Sequence, residues 1–180
     1  MRLLAPRRLS DERGFFEEVW RADVFAKVGI DVVFVQDNQS LSRQAGVVRG
    51  LHFQTGASAQ AKLVRCTRGA IFNVAVDVRH GSPSFGRHVC ARLSGANGLQ
   101  VFVPVGFAHG FCTLEPDTEV FYKVSAYYDR DADRGLAWDD PNVGIPWPVE
   151  SDKAILSPKD RMQPRLADLP CFFPYSDYPD

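Results

Sequence analysis

A succession of short segments rich in Val, Phe and Ile constrains this chain more than any other feature. "VVFVQDN", "KLVRCTR", "AIFNVAVDV", "HVCARL", "QVFVP", "HGFCTL" and "EVFYKV" carry the residue types that fit a pleated, half-buried surface. Turn clusters such as "RHGSPSFG", "SGANG" and "EPD" separate several of them. Short strands at this spacing predict an all-β sandwich or barrel. One early helix is expected within "RADVFAKVG", with Asp23 or the residue before it as cap and Gly29 as its end. After Trp138, prolines at 141, 146, 148, 158 and 164 forbid continuous strands and leave room for short helical turns. This irregular tail is expected to wrap the barrel. No repeat, low-complexity tract or linker interrupts the 180 residues, which read as one domain, 1–180.

Charge narrows the range of partners. Lys and Arg total 21 against 22 Asp and Glu, a net charge of -1, so no overall field would draw in nucleic acid or an anionic membrane. No apolar run approaches the length of a membrane span. The N-terminal stretch turns charged at once and lacks the apolar h-region of a signal peptide. Cys66, Cys90, Cys112 and Cys171 show no CxxC spacing, and all but the last stand in apolar, strand-like surroundings. They read as reduced, structural thiols, and the chain as cytoplasmic.

The stretch "GVVRGLHFQ" raises the chemical question, because it places Arg49 and His52 inside a strand-like run. In an ideal strand the two point to opposite faces. Taken alone, His52 reads as a satisfied core or rim residue. The four histidines, His52, His80, His88 and His109, include no HxH or HxxxH arrangement, so no metal is expected. There is also no GxSxG elbow and no glycine-rich phosphate loop. Polar groups scattered through apolar strands remain. Individually, Lys62 reads as a solvated strand end, Tyr122 as a well-packed strand tyrosine, and His109 as a turn residue between Gly106 and Gly110. Together, an imidazole, an ammonium and a phenol on neighbouring strands suit proton abstraction beside a carbonyl.

The segments "DERGFF", "FVQDN", "VVRGLHFQ", "AKLVRC", "NVAVDVR", "SPSFG", "VPVGFAHGF", "EVFYKVSAYY", "LAWDDPNVGIPWP" and "LSPKD" resemble, in order and spacing, the dTDP-4-dehydrorhamnose 3,5-epimerase family. The resemblance runs from about Arg13 to Asp160. It implies a cupin-type jelly-roll barrel with short peripheral helices, a homodimer, no cofactor, and dTDP-4-dehydro-6-deoxy-D-glucose as substrate. Position by position, it implies His52 as the base, Asp160 as the carboxylate that orients it, Tyr122 as the proton donor, and Lys62 as the cation near the enolate oxygen. Arg13, Glu18, Gln36, Asp37, Asn38, Arg49, His109, Asp133 and Lys159 match nucleotide-sugar contacts, and Tyr128 matches the aromatic that stacks on thymine. The chain departs from the family pattern at Gln39, where His is common, at Ala61 for Gly, at Asn73 for Asp, and at Asp133 for Glu. Relatives that invert a single carbon keep most of these motifs, which leaves a single-carbon epimerase and a non-catalytic sugar-nucleotide-binding cupin as rival readings; a metal-dependent cupin oxygenase is disfavoured by the histidine spacing. Gly50 makes a bulge between Arg49 and His52 plausible, which would let both serve one ligand.

Overall fold

A computed structural model describes residues 1–178. The chain is almost entirely β. In order it forms β1 (Arg2–Leu4), β2 (Arg8–Asp11), β3 (Gly14–Glu17), α1 (Ala22–Lys27), β4 (Gln36–Ser42), β5 (Val48–Gln54), β6 (Lys62–Arg68), β7 (Ala70–Asp77), β8 (Arg79–His80), β9 (His88–Ser94), β10 (Gln100–Val103), β11 (Phe107–Thr113), β12 (Thr118–Val124), β13 (Asp133–Gly135) and β14 (Phe173–Pro174). Two five-stranded sheets, β1-β10-β6-β12-β4 and β13-β5-β11-β7-β9, make the jelly roll, and all their pairings are antiparallel.

Alternation along the strands decides what each face buries. Val64, Cys66, Val101 and Val120 of the first sheet pack against Ile71, Ala75, Leu93 and Phe111 of the second, closing one part of the interior with apolar side chains. The opposite face of the second sheet carries Leu51, Phe53, Val74 and Val76, and the tail covers it with Leu136, Val143, Leu166, Leu169 and Phe173. The proline-rich tail therefore wraps the barrel as expected. Its short 3-10 turns lie at Asp160–Met162 and Leu166–Asp168. The outer face of the first sheet is capped by Phe25 of α1 and by Ile30, packed on Leu63 and Phe102.

Two local expectations need correction. Of the segment "VVFVQDN" only Gln36, Asp37 and Asn38 enter a strand; β4 begins at Gln36, where pairing with Val124 starts. Val32 and Phe34 are apolar because they pack beside α1. The helix has no side-chain cap: Arg21 is its N-cap residue, and the Asp23 carboxylate accepts from the Arg21 guanidinium at 2.7 Å. Its end behaves as expected. Gly29 has φ +75°, and the N–H groups of Gly29 and Ile30 donate to Ala26 and Phe25, the paired bonds of a Schellman motif.

Candidate active site

The register between β5 and β11 settles the orientation of Arg49 and His52. His52 stands opposite His109 and Arg49 opposite Phe111, so β5 advances three residues where β11 advances two. The extra residue is a bulge, and it reverses the parity of the strand. Val48, Leu51 and Phe53 are consequently buried beneath the tail, while the exposed Arg49 and the half-buried His52 border the same cavity. Gly50 permits this. Its φ is +110°, and a Cβ there would lie 2.6 Å from the His109 carbonyl oxygen and 2.7 Å from Gly110 Cα.

A cavity of about 280 Å³ opens at this end of the interior, bordered by Arg49, His52, Lys62, His109, Tyr122 and Asp160, with Ser40, Phe111 and Ser157. A second space of about 140 Å³ shares His52, Lys62 and Tyr122 and adds Gln36, Asn38, Tyr128 and Asp133. His52 reaches in from the second sheet. Lys62 and Tyr122 reach in from β6 and β12 of the first.

Each of these groups is electrostatically set. His52 Nε2 lies 2.5 Å from Asp160 Oδ1, so the shared proton stays on Nε2 and Nδ1 is the nitrogen left to accept another. Asp160 is buried. Burial works to raise its carboxyl pKa, but hydrogen bonds from His52 and from Ser157 Oγ (2.9 Å) hold it below the usual range, and it stays a carboxylate. Burial pushes the Lys62 ammonium down to about 8, partly opposed by Asp133 and assisted by Lys159. It is still charged at neutral pH, and its Nζ donates to the His52 carbonyl at 3.3 Å. Burial raises the Tyr122 phenol, Arg49 pulls it back in part, and Asp133 adds to the rise; Tyr122 therefore carries its proton. Arg49 is braced by Ser42 Oγ at 3.1 Å and the Leu41 carbonyl at 3.2 Å.

The mouth of the cavity is tied together by one acid. Asp133 accepts from the Tyr128 hydroxyl at 3.1 Å and pairs with Lys159. Gln36 donates to Asn38 Oδ1 at 2.9 Å and accepts the Tyr128 N–H at 2.9 Å.

Three candidates stand elsewhere. Strand alternation turns Asp37 away from Gln36 and Asn38, onto the surface, where it pairs with Lys123 at 2.8 Å. Arg13 pairs with Asp11 at 2.6 Å on the β2–β3 hairpin, and Glu18 with Arg21 at 3.4 Å, both at exposed positions. Three interior residues have contacts that the sequence reading did not assign, although it marked Asn73 as standing where the family commonly has Asp. Ser157 braces Asp160, Asn73 bonds His109, and Ser40 presents a buried hydroxyl with no protein partner among the described residues. Ser157 left a local trace in the sequence: it accepts the Asp160 N–H at 3.1 Å, the serine half of the S-x-x-acid capping pattern in "SPKD".

An imidazole backed by a carboxylate on one sheet, facing an ammonium and a protonated phenol on the other, can remove a proton beside a carbonyl, hold the enolate, and return a proton from the far side. The class is thus a jelly-roll proton-transfer protein. A family model described as dTDP-4-dehydrorhamnose 3,5-epimerase matches residues 1–168, and the chain belongs to that family. A curated dTDP-4-dehydrorhamnose 3,5-epimerase from Sinorhizobium fredii is 57% identical over 175 residues, 97% of this chain and 89% of the relative. The crystal structure of the Bacillus anthracis enzyme of the same name, with TDP and PPi bound, is 50% identical with a TM-score of 0.88, covering 91% of this chain and 92% of that one. A Legionella pneumophila dTDP-6-deoxy-D-glucose-3,5-epimerase, in complex with dTDP-4-keto-L-rhamnose, is 41% identical with a TM-score of 0.91, covering 96% and 91%.

Proposed function

We propose that this protein inverts carbons 3 and 5 of dTDP-4-dehydro-6-deoxy-D-glucose to give dTDP-4-dehydro-L-rhamnose. The observation that carries the reading is the placement of His52 and Tyr122 on facing sheets around one cavity. Inversion requires a proton to leave one face of a carbon and return to the other, which one imidazole cannot do. His52 Nδ1 takes the proton from the carbon beside the ketone, and the C–H electron pair moves onto the ketone oxygen. The Lys62 ammonium stabilises that enolate, and the Tyr122 hydroxyl delivers a proton to the opposite face. Both carbons flank the carbonyl at position 4, so the same enolate site serves each in turn. Asp160 stabilises the imidazolium that forms, as the buried acid does in a hydrolase triad.

Incubation with the substrate in deuterated water tests this, with NMR reading configuration and label together. Both carbons should be inverted and labelled; inversion of one alone identifies a single-carbon epimerase, and binding without exchange a non-catalytic cupin. Tyr122→Phe should admit label at the original face with little inversion. A variant that inverts as fast as it exchanges removes Tyr122 from the donor role.

The active form is a cytoplasmic homodimer. Among the described residues the strands of the β2–β3 hairpin ladder only with each other; Arg8 and Glu17 tie the arm to the barrel through Ala96 and Arg65, and it exposes Leu9, Phe15 and Phe16 at 49%, 57% and 68%, more apolar surface than such an arm should leave in water. Seated on a second copy, this arm carries Arg13 and Glu18 toward the partner's cavity, where Arg13 grips the diphosphate. Sedimentation should report a dimer, and Arg13→Ala should raise KM. A fully active monomer would sink the assembly.

A further inference from the structure

Asn73 has no role in the proton transfers above, yet it is completely buried beside the cavity and its amide makes one contact of consequence. Its Oδ1 lies 2.8 Å from His109 Nε2. The other end of the amide, Nδ2, is buried with no acceptor among the described residues, so no carboxylate is bonded to it. His109 is itself 7% exposed, borders the cavity, and is the direct register partner of His52 across β5 and β11.

None of the groups that face His109 from the neighbouring strands is an acid. From β5 come His52 and Arg49, from β6 Lys62, and from β12 the neutral phenol of Tyr122. The acid at the cavity wall, Asp160, is spent on His52, and Asp133, in the adjoining space, pairs with Lys159. Asp77, farther along β7, is held by Arg79. An amide oxygen can accept the Nε2 proton but offers no full charge to hold a second one on the ring.

We infer that Asn73 is a positioning residue that fixes the proton of a neutral His109 on Nε2, supplies no charge that would hold a second proton, and leaves Nδ1 bare toward the cavity, so that His109 accepts a hydrogen bond from a sugar hydroxyl while His52 alone changes charge in the reaction. Burial drives the His109 pKa well below that of an ordinary imidazole, with Lys62 and His52 adding to the effect. The arrangement matters because His52 becomes an imidazolium on taking the substrate proton. A second imidazolium directly opposite would raise the energy of that state. The inference rests on the proposed reaction for its purpose, but its first test does not.

NMR titration of the unmodified protein, following the ring resonances of His109, needs neither substrate nor turnover. The expected result is no titration of His109 between pH 5 and 8 and an Nε2-protonated tautomer. A midpoint near 6.5 overturns the inference, whether or not the protein is an epimerase. In Asn73→Asp the new carboxylate should bring the His109 titration into the neutral range. The acid limb of the kcat profile should then move about one pH unit higher, with kcat near pH 6 falling about tenfold. An unshifted acid limb in a folded variant whose His109 does titrate would also count against the inference, because a merely structural Asn73 leaves the profile in place.

Discussion

His52 and His109 stand opposite each other on paired strands, border the same cavity, and are built for opposite behaviour. His52 is backed by a carboxylate at 2.5 Å that the tail delivers from 108 residues away. His109 is backed by an amide at 2.8 Å from the neighbouring strand. A carboxylate stabilises the charged ring that a base becomes; an amide stabilises only the neutral one. Identical side chains paired across one ladder thus acquire different chemistry from the group behind each and from how deeply each is buried.

The sharpest way to break this comparison is to remove each ring. His52→Ala should lower turnover by ~10² to 10⁴, the typical contribution of a positioned base, and leave no measurable exchange in deuterated water. His109→Ala should cost only about tenfold in kcat/KM, the worth of one neutral hydrogen bond to the substrate. Equal losses from the two variants would dissolve the distinction. A subtler change rebuilds at His52 the partner that His109 has. Asp160→Asn keeps the shape and removes the charge, so kcat should fall on the order of 10²-fold or less, short of deleting the base. Stopped-flow kinetics on a variant with unchanged circular dichroism would measure this.

How much of this could be read from the sequence follows the same division. β6 is the segment "KLVRCTR" residue for residue, because its apolar alternation and its flanking turns coincide with its ladder. β4 is a polar strand, "QDNQSLS", whose N-terminal neighbours in sequence are more apolar than it is, so the apolar pattern starts the strand too early. Hydrophobic pattern reports burial, and Val32 and Phe34 are half-buried without being paired. Gly50 signalled the bulge, since a glycine between strand residues marks close backbone approach. The His52–Asp160 pair spans too much chain for any local rule, and only the ordered set of family motifs linked the two. Asn73 gave no signal of its partnership, because a buried asparagine in the middle of a strand announces a hydrogen bond but not with whom. The motif "SPSFG" proves to brace the fold: Ser82 and Ser84 donate to Asp77, which pairs with Arg79.

The smallest expected effect concerns which force keeps His109 neutral. Burial is the leading cause and the Lys62 charge the second. Lys62→Met preserves the length of the buried stem and deletes the ammonium, so it separates the two. If burial dominates, the His109 midpoint rises in the variant but stays below that of an ordinary imidazole, while loss of the whole depression would mean that the lysine sets it. A stability measurement on the same variant checks that the charge was truly desolvated. The folded-state pKa of Lys62 is lowered from 10.5 to about 8, so between those values the unfolded chain binds more protons and stability rises with pH. Below pH 8 both states hold the proton and the full cost of burying it is present, as much as ~3 kcal/mol at 1.36 kcal/mol per pKa unit. Lys62→Met should therefore be more stable than the parent protein at pH 7 by up to that amount. The gap should close as pH climbs from 8 to 10.5. A gap that stays constant over that range would mean the variant gains only from packing, and that the Lys62 ammonium is better solvated in the cavity than its burial implies.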